Sequence, residues 1–214
     1  MSREAIRDII LKEKLIAIVR TKAQKDVPTI VEGLVAGGIR VLEITSNTPG
    51  FDLLIKENRK QYPDVLIGAG TVTNASIAEK AIKAGAQFLV SPNTQAELVN
   101  IAHDNHIPII MGALTPTEIG DAVDLGADIV KLFPASNFGS SYLKAIRGPF
   151  DEAKFFAVGG IDLYNMCEWL DAGALGLGLG SVLTAIKKEE LSKGNIESMA
   201  RAFVEKLNTY HGRS

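Results

Sequence analysis

A lysine stands in the middle of an apolar run, in the stretch ADIVKLFP at residues 127–134. The run predicts a short strand that is buried on both faces and ends at Pro134, because proline cannot donate to a strand ladder. Burying an ammonium group is costly, and a low dielectric around Lys131 would lower the pKa of its amine. A free amine in a pocket attacks carbonyl carbons. The alternative is a structural lysine that a buried carboxylate neutralises, and this strand alone favours neither interpretation.

A carboxylate occupies a similar position in an earlier predicted strand at residues 39–45, where Glu43 is flanked by apolar residues. The simplest interpretation of Glu43 is that it forms an ion pair with a neighbouring lysine. A pair with Lys131 would not exclude chemistry, because a carboxylate beside a reactive amine can also transfer protons.

Both residues belong to a regular alternation of strands and helices. Apolar segments predict eight strands, at residues 15–19, 39–45, 65–69, 87–90, 108–111, 127–134, 154–157 and 174–179. Helical patterns occupy residues 2–14, 26–36, 49–61, 74–84, 94–105, 116–125, 139–146, 162–172 and, as one helix or two, 182–210. Glycine, which supplies the left-handed residue that ends a helix, recurs at helix-to-strand junctions in the segments 36–38, 84–86, 125–127 and 172–174.

Eight strand–helix units joined by short loops predict a closed (β/α)8 TIM barrel in a single domain. The expected barrel covers about residues 15–190, after an N-terminal helix and before a C-terminal helix at 191–210. An open doubly wound sheet is the alternative, but such a sheet more often has a glycine-rich loop after its first strand. Arg20, Thr21 and Lys22 follow the first strand instead, so the barrel is favoured.

Groups suited to anions recur at the carboxyl ends of the predicted strands, where barrels of this kind carry their chemistry. Arg20 ends the first strand, as either a solvated loop residue or an anion contact. Thr71 offers a hydroxyl in a glycine turn after the third, which is a weak signal alone. Gly159-Gly160 and Gly180-Ser181 follow the seventh and eighth strands, the places where these barrels bind phosphate. Tight turns without a ligand are the alternative, and a phosphate site is favoured.

Composition narrows the class of protein. With 214 residues, 46% hydrophobic content and a net charge of −2, the chain suits one globular core, and nothing indicates nucleic acid or a membrane as a partner. The single cysteine, Cys167, excludes an internal disulfide, and no signal segment is recognised, so the cytoplasm is expected. No metal is expected, since His103 and His106 lie far from the carboxyl end of any predicted strand. No dinucleotide motif or P-loop occurs, so no cofactor is expected either.

A buried lysine, a buried glutamate and a phosphate site together indicate Schiff-base chemistry on a phosphorylated keto compound. At these residues the sequence resembles the class I aldolases of 2-keto-3-deoxy-6-phosphogluconate (KDPG) and its galactonate epimer (KDPGal). The resemblance extends from about Leu15 to Ser181 and is carried by IAIVR (16–20), AGGIRVLEIT (36–45), IGAGTV (67–72), SPN (91–93), DIVKLFPAS (128–136), AVGGI (157–161) and GLGS (178–181). It implies a pyruvate-type lyase that is usually a homotrimer.

The resemblance also implies roles for individual residues. Lys131 would form the Schiff base, and Glu43 would act as general acid and base. Thr71, with Arg20, would hold the substrate carboxylate. Contacts to the rest of the substrate are implied for loop residues: Phe133 and Pro92 at the pyruvate pocket, and Gly159, Gly160, Gly180 and Ser181 at the 6-phosphate.

Some positions depart from the gluconate-type pattern and look like the galactonate type. An arginine usually follows the strand glutamate closely, where this chain reads SNTP (46–49), and threonine usually precedes the paired glycines, where it has Val158. The run FPASNFG (133–139) is also galactonate-like. The expected reaction is reversible cleavage of either epimer to pyruvate and glyceraldehyde 3-phosphate, with 4-hydroxy-2-oxoglutarate as a further substrate. The alternatives are another phosphate-binding barrel enzyme, such as an epimerase or a synthase, and a catalytically silent sugar-phosphate binding protein.

Overall fold

Eight parallel strands close into a barrel in chain order in a computed structural model that describes residues 1–184 and 191–211. The strands are β1 (Leu15–Val19), β2 (Val41–Thr45), β3 (Leu66–Gly70), β4 (Leu89–Val90), β5 (Ile109–Ala113), β6 (Ile129–Leu132), β7 (Phe155–Val158) and β8 (Gly176–Leu179). The ring closes where β8 pairs with β1, with Ile16 in register with Gly178. The predicted TIM barrel is therefore confirmed.

Helices surround the barrel and connect its strands. They are α1 (Arg3–Glu13), α2 (Val27–Ala36), α3 (Phe51–Gln61), α4 (Ala75–Lys83), α5 (Ala96–Asp104), α6 (Pro116–Asp124), α7 (Ser140–Ile146), α8 (Met166–Asp171), α9 (Ser181–Thr184) and α10 (Lys193–His211). Residues 185–190, which the sequence assigned to the end of the barrel and the final helical segment, lie outside the described residues. Of the helices in the described ranges, none combines the length and the apolar character that a membrane span needs.

Several strands are shorter than predicted: β4 covers Leu89–Val90 rather than 87–90, β6 covers Ile129–Leu132 rather than 127–134, and β8 covers Gly176–Leu179 rather than 174–179. Two further boundaries differ for local reasons. β2 begins at Val41 rather than residue 39, and the side chain of Arg40 donates to the carbonyls of Val35 and Ile39 at 3.0 and 3.1 Å in the preceding turn. α8 begins at Met166 rather than residue 162. The Asp162 carboxylate accepts main-chain hydrogen bonds two and three residues ahead, which is a turn that competes with helix.

The junctions between helices and strands use glycine as predicted. Gly38, Gly85, Gly126 and Gly173 have φ values of +99°, +97°, +85° and +100°. A side chain would strain each of these left-handed positions, and glycine avoids that cost. The tight junctions bring each helix directly back onto the barrel. Every residue of the eight strands is buried as a result.

The amino ends of the strands carry a separate polar cluster. Asp128, which immediately precedes β6, has a side chain that is 3% exposed and lies 3.4 Å from Arg3 Nε of α1. Its other oxygen lies 3.0 Å from His103 Nε2 and accepts from the Ile109 N–H at 3.0 Å. This cluster ties α1 to the end of the barrel opposite the strand carboxyl ends. His103 is thus remote from those ends, as expected.

The final helix, α10, packs tightly on α2. A Cβ atom on Gly33 would lie 2.7 Å from the Cβ of Ile196, and one on Gly37 would lie 2.5 Å from the Cβ of Ala200. Such distances are too short for any side chain, so the two glycines allow the helix axes to approach closely. The C-terminal helix is thereby held against the first helix of the barrel's outer layer.

Candidate active site

A cavity of about 240 Å³ opens at the carboxyl ends of the strands. It is lined by Ile18, Arg20, Lys131, Phe133, Val158, Gly159, Gly160, Ile161, Gly180, Ser181 and Thr184. Seven residues singled out in the sequence are among them, although they come from the ends of four strands: Arg20, Lys131, Phe133, Gly159, Gly160, Gly180 and Ser181. The barrel therefore brings the predicted lysine and the predicted phosphate turns to one cavity.

Lys131 reaches this cavity from β6, where its strand neighbours leave it only 5% exposed. Burial lowers the pKa of its amine; the nearby Glu43 opposes that shift, and the positive charge of Arg20 adds to it. The Phe133 ring centroid lies 5.0 Å from Lys131 Nζ. An aromatic face at this distance attracts a cation and would also favour a positively charged iminium formed on the nitrogen.

Glu43 stands beside the lysine on β2 and is 2% exposed. It fits there because Gly70 has no side chain: a Cβ on Gly70 would lie 2.5 Å from Glu43 Oε1. Burial raises the pKa of the Glu43 carboxyl, and the charges of Lys131 and Arg20 oppose the shift. Among the described residues, Glu43 Oε1 is buried without a hydrogen-bond partner, which is rare for a structural group.

The two pKa shifts both favour the uncharged form of the side chain. A raised carboxyl pKa favours the acid, and a lowered ammonium pKa favours the free amine. Lys131 thus suits the role of a nucleophile, and Glu43 suits the role of a proton donor in the same part of the barrel. A purely structural ion pair would instead hold both groups charged and hydrogen-bonded. The geometry favours the chemical interpretation of the two strands.

The main chain around Arg20 is held by hydroxyl groups at the end of β2 and in the turn that follows it. Thr45 Oγ1 donates to the carbonyl of Val19 at 3.3 Å, and Thr48 Oγ1 lies 3.1 Å from Thr45 Oγ1. The N–H of Thr21 donates to Thr48 Oγ1 at 3.3 Å. These contacts fix the main chain on both sides of Arg20. Its guanidinium Nη2 in turn donates to the hydroxyl of Thr71 at 3.2 Å.

Three of the predicted site residues do not line the cavity: Glu43, Thr71 and Pro92. Thr71 is hydrogen-bonded to Arg20, which does line the cavity. Pro92 packs against β5, since a Cβ on Gly112 would lie 2.2 Å from the Pro92 carbonyl carbon. Gly112 is the register partner of Lys131. Pro92 therefore lies next to the lysine strand, and its role at a pyruvate pocket stays a prediction.

The two glycine turns close the other side of the cavity. Gly159 and Gly160 have φ values of +106° and +69°, which glycine adopts without strain. Asn165 Nδ2 donates to the Gly160 carbonyl at 2.8 Å and fixes that turn. The hydroxyl of Thr184 lies within 3.2 Å of the carbonyls of both Gly180 and Ile18. It thereby ties the turn after β8 to β1.

Some lining residues were not anticipated from the sequence, namely Ile18, Val158, Ile161 and Thr184. Three are apolar residues within two positions of a predicted site residue, and nothing in an apolar side chain distinguishes cavity lining from core. Thr184 lies one helical turn after Ser181. Its position one helical turn beyond Gly180-Ser181, the predicted phosphate turn, could have indicated it from the sequence.

Comparisons with known proteins identify the family of this chain. The family model described as KDPG and KHG aldolase matches residues 6–202. The 2-dehydro-3-deoxy-6-phosphogalactonate aldolase of Escherichia coli K12 is 37% identical over 175 residues, which are 80% of this chain and 85% of that protein. The 2-dehydro-3-deoxy-phosphogluconate aldolase of Dickeya dadantii is 40% identical over 154 residues, 72% of each chain.

A solved structure extends the comparison to the whole fold. The KDPG aldolase from Legionella pneumophila, with pyruvate captured as a covalent carbinolamine intermediate, superposes with a TM-score of 0.83 at 31% identity. The match covers 92% of this chain and 96% of that one. With a family model that spans most of the barrel and relatives of this similarity, the chain belongs to the KDPG and KHG aldolase family.

Proposed function

We propose that this protein is a Schiff-base aldolase that cleaves a 2-keto-3-deoxy-6-phosphoaldonate to pyruvate and glyceraldehyde 3-phosphate. The observation that carries the proposal is the buried pair of Lys131 and Glu43, whose pKa values are shifted towards the neutral amine and the neutral acid. The names of the relatives support the substrate class, since one acts on the galactonate and another on the gluconate form.

The reaction begins with the free amine of Lys131, which adds to the C2 ketone. The resulting carbinolamine loses water with a proton from Glu43, which leaves an iminium cation opposite the Phe133 ring. Glu43 then takes the proton of the C4 hydroxyl. The C3–C4 bond breaks, its electron pair moves into the iminium to give an enamine, and the aldehyde leaves. Protonation of the enamine at C3 and hydrolysis of the imine release pyruvate and restore the amine.

The remaining contacts divide the substrate between two ends of the cavity. Arg20 and the hydroxyl of Thr71, which already share a hydrogen bond, bind the carboxylate next to the ketone. Phe133 and Pro92 shape the space for the three carbons that become pyruvate. The 6-phosphate binds at the turns after β7 and β8, through Gly159, Gly160, Gly180 and Ser181.

We further propose that the protein acts in the cytoplasm, as a homotrimer, in sugar-acid degradation of the Entner–Doudoroff type. A symmetric oligomer is supported by a solved protein cage designed by fusing symmetric oligomeric domains, one chain of which superposes on this protein with a TM-score of 0.87 at 32% identity. No cofactor enters the proposed reaction, because the imine itself is the electron sink.

The direct test measures release of pyruvate together with glyceraldehyde 3-phosphate from purified KDPG and KDPGal, and of pyruvate together with glyoxylate from 4-hydroxy-2-oxoglutarate, each with and without EDTA. We expect EDTA-insensitive turnover of at least one phosphorylated epimer, and the ratio of kcat/KM values identifies the preferred C4 configuration. Binding of all three compounds without turnover would identify a silent binding protein instead. Loss of activity in EDTA that a divalent ion restores would replace the imine with metal chemistry.

Ser181→Asp should selectively weaken binding of the phosphorylated substrates. A carboxylate at the turn after β8 repels the phosphate and competes for the same main-chain N–H groups, so KM should rise by about 100-fold or more. Turnover of unphosphorylated 4-hydroxy-2-oxoglutarate should change by less than about threefold. Ser181→Ala is the matched control, because it removes the hydroxyl without adding charge. Equal losses on both kinds of substrate would mean that the turn is structural and that phosphate binds elsewhere.

A further inference from the structure

Thr71 has a backbone conformation that its residue type rarely adopts. Its φ is +56°, in the left-handed region, where a β-branched residue is an outlier. Such conformations persist only where neighbouring groups hold them. In the proposed function, the Thr71 hydroxyl binds the substrate carboxylate together with Arg20. The group that holds Thr71 in this conformation therefore governs the carboxylate site.

Ser46, the first residue after β2, makes hydrogen bonds to both peptide groups that flank Thr71. Its Oγ donates to the Thr71 carbonyl at 2.7 Å. Its main-chain N–H donates to the Gly70 carbonyl at 2.8 Å. The orientations of these two peptide groups define φ and ψ at Thr71. Ser46 thus constrains both backbone dihedral angles of the strained position, and the Val72 N–H, which donates to the Val90 carbonyl at 3.0 Å, also holds the second peptide group.

The side chain of Ser46 is a separable part of this arrangement. The bond to Gly70 comes from the main chain and survives any substitution except proline. The bond to the Thr71 carbonyl comes from the hydroxyl, which is partly buried, and Ser46 does not line the cavity. The hydroxyl's hydrogen bond goes to Thr71, so we expect its effect on substrate binding to pass through Thr71.

We propose that Ser46 is a positioning residue for the keto-acid carboxylate: its hydroxyl holds Thr71 in the left-handed conformation that presents the Thr71 side chain to Arg20. The inference rests on the proposed function, in which Arg20 and Thr71 bind that carboxylate. It assigns a role to the segment SNTP, in which the sequence comparison found only the lack of an arginine.

The test uses pyruvate alone, whose methyl protons exchange with D2O through the iminium and the enamine. Ser46→Ala should raise KM for pyruvate in this exchange about five- to tenfold, the range expected for one lost hydrogen bond, and change kcat less than about twofold. Ser46→Thr keeps a hydroxyl and should restore most of the affinity. In a Thr71→Val background, Ser46→Ala should raise KM less than about twofold further, because the hydroxyl that Ser46 positions is already missing.

Two controls separate positioning from general stability. Thr209→Ala removes a hydroxyl that donates to the Glu205 carbonyl at 2.9 Å on α10, far from the cavity, and should leave KM unchanged. Thermal melts of all variants report any loss of fold. If wild-type protein exchanges no pyruvate protons, the proposed function fails, and this inference fails with it. If wild type exchanges but Ser46→Ala leaves KM within twofold, or raises it equally in both backgrounds, the function stands and the positioning role is overturned.

Discussion

Replacing Lys131 with alanine should abolish aldol cleavage and covalent capture of pyruvate together. Loss of the nucleophile removes every later step, so kcat should fall by about five powers of ten or more, as for other covalent catalysts. Treatment of wild-type protein with pyruvate and borohydride should add one reduced pyruvate per chain, located at Lys131 by peptide mass analysis. Because burial lowers the pKa of the Lys131 amine, labelling should slow as the pH falls and the amine becomes protonated.

A neighbouring lysine provides the matched control. Lys154 lies immediately before β7, at the end of the barrel away from the cavity. Lys154→Ala should label and turn over as wild type does. The imine mechanism would be wrong if the Lys131→Ala variant were labelled as fully as the wild type. It would also be wrong if the wild-type protein cleaved its substrate but was not labelled.

Glu43→Gln should keep the fold and much of the labelling but lower kcat by about two to four powers of ten, the usual contribution of a general acid–base group. Glutamine is nearly isosteric, so it should fit against Gly70 as the glutamate does. It cannot take the C4 hydroxyl proton. Measurement of kcat and the melting temperature on one preparation separates this result from a structural role, in which breaking a buried ion pair costs about 3–5 kcal/mol.

Asp128→Asn should show the opposite pattern and serves as the control for a buried carboxylate. Its partners, Arg3 and His103, lie at the amino ends of the strands. The melting temperature should fall, while turnover per folded molecule stays normal. If Glu43→Gln behaved in this way too, with an early melt and normal specific activity, its assignment as acid and base would be wrong.

The barrel could be predicted from the sequence because its signals are local. Apolar strand segments recur in each unit and glycine at the ends of helices recurs in about every second unit, and each signal depends only on neighbouring residues. Lys131 and Glu43 could be found for a related reason, since a charged residue inside an apolar strand is conspicuous without knowledge of its partners.

The arrangement around those residues could not be predicted in the same way. Whether Gly70 leaves space for Glu43, and whether Ser46 reaches the carbonyl of Thr71, depends on the register between β2 and β3 and on the turns that follow. Hydroxyl groups such as those of Thr45 and Thr48 have many possible partners, and sequence alone does not choose between them. The left-handed φ of Thr71 was equally hidden, because threonine is not a residue that predicts this conformation.

The closure of the barrel between its first and last strands has a consequence for biosynthesis. β1 is the first strand to leave the ribosome, and it cannot pair with β8 until the rest of the barrel has been made. The hydrogen bond from Thr184 to Ile18 joins residues 166 positions apart. The cavity is lined by Arg20 of the first unit and Ser181 of the last. A nascent chain therefore cannot form the cavity until the final strand has emerged. During that interval one edge of β1 remains an unpaired apolar edge, which is the kind of surface that holds a newly made chain to chaperones. Substitutions at the β1–β8 seam should therefore reduce the yield of soluble protein in cells more than they reduce the stability of the finished barrel.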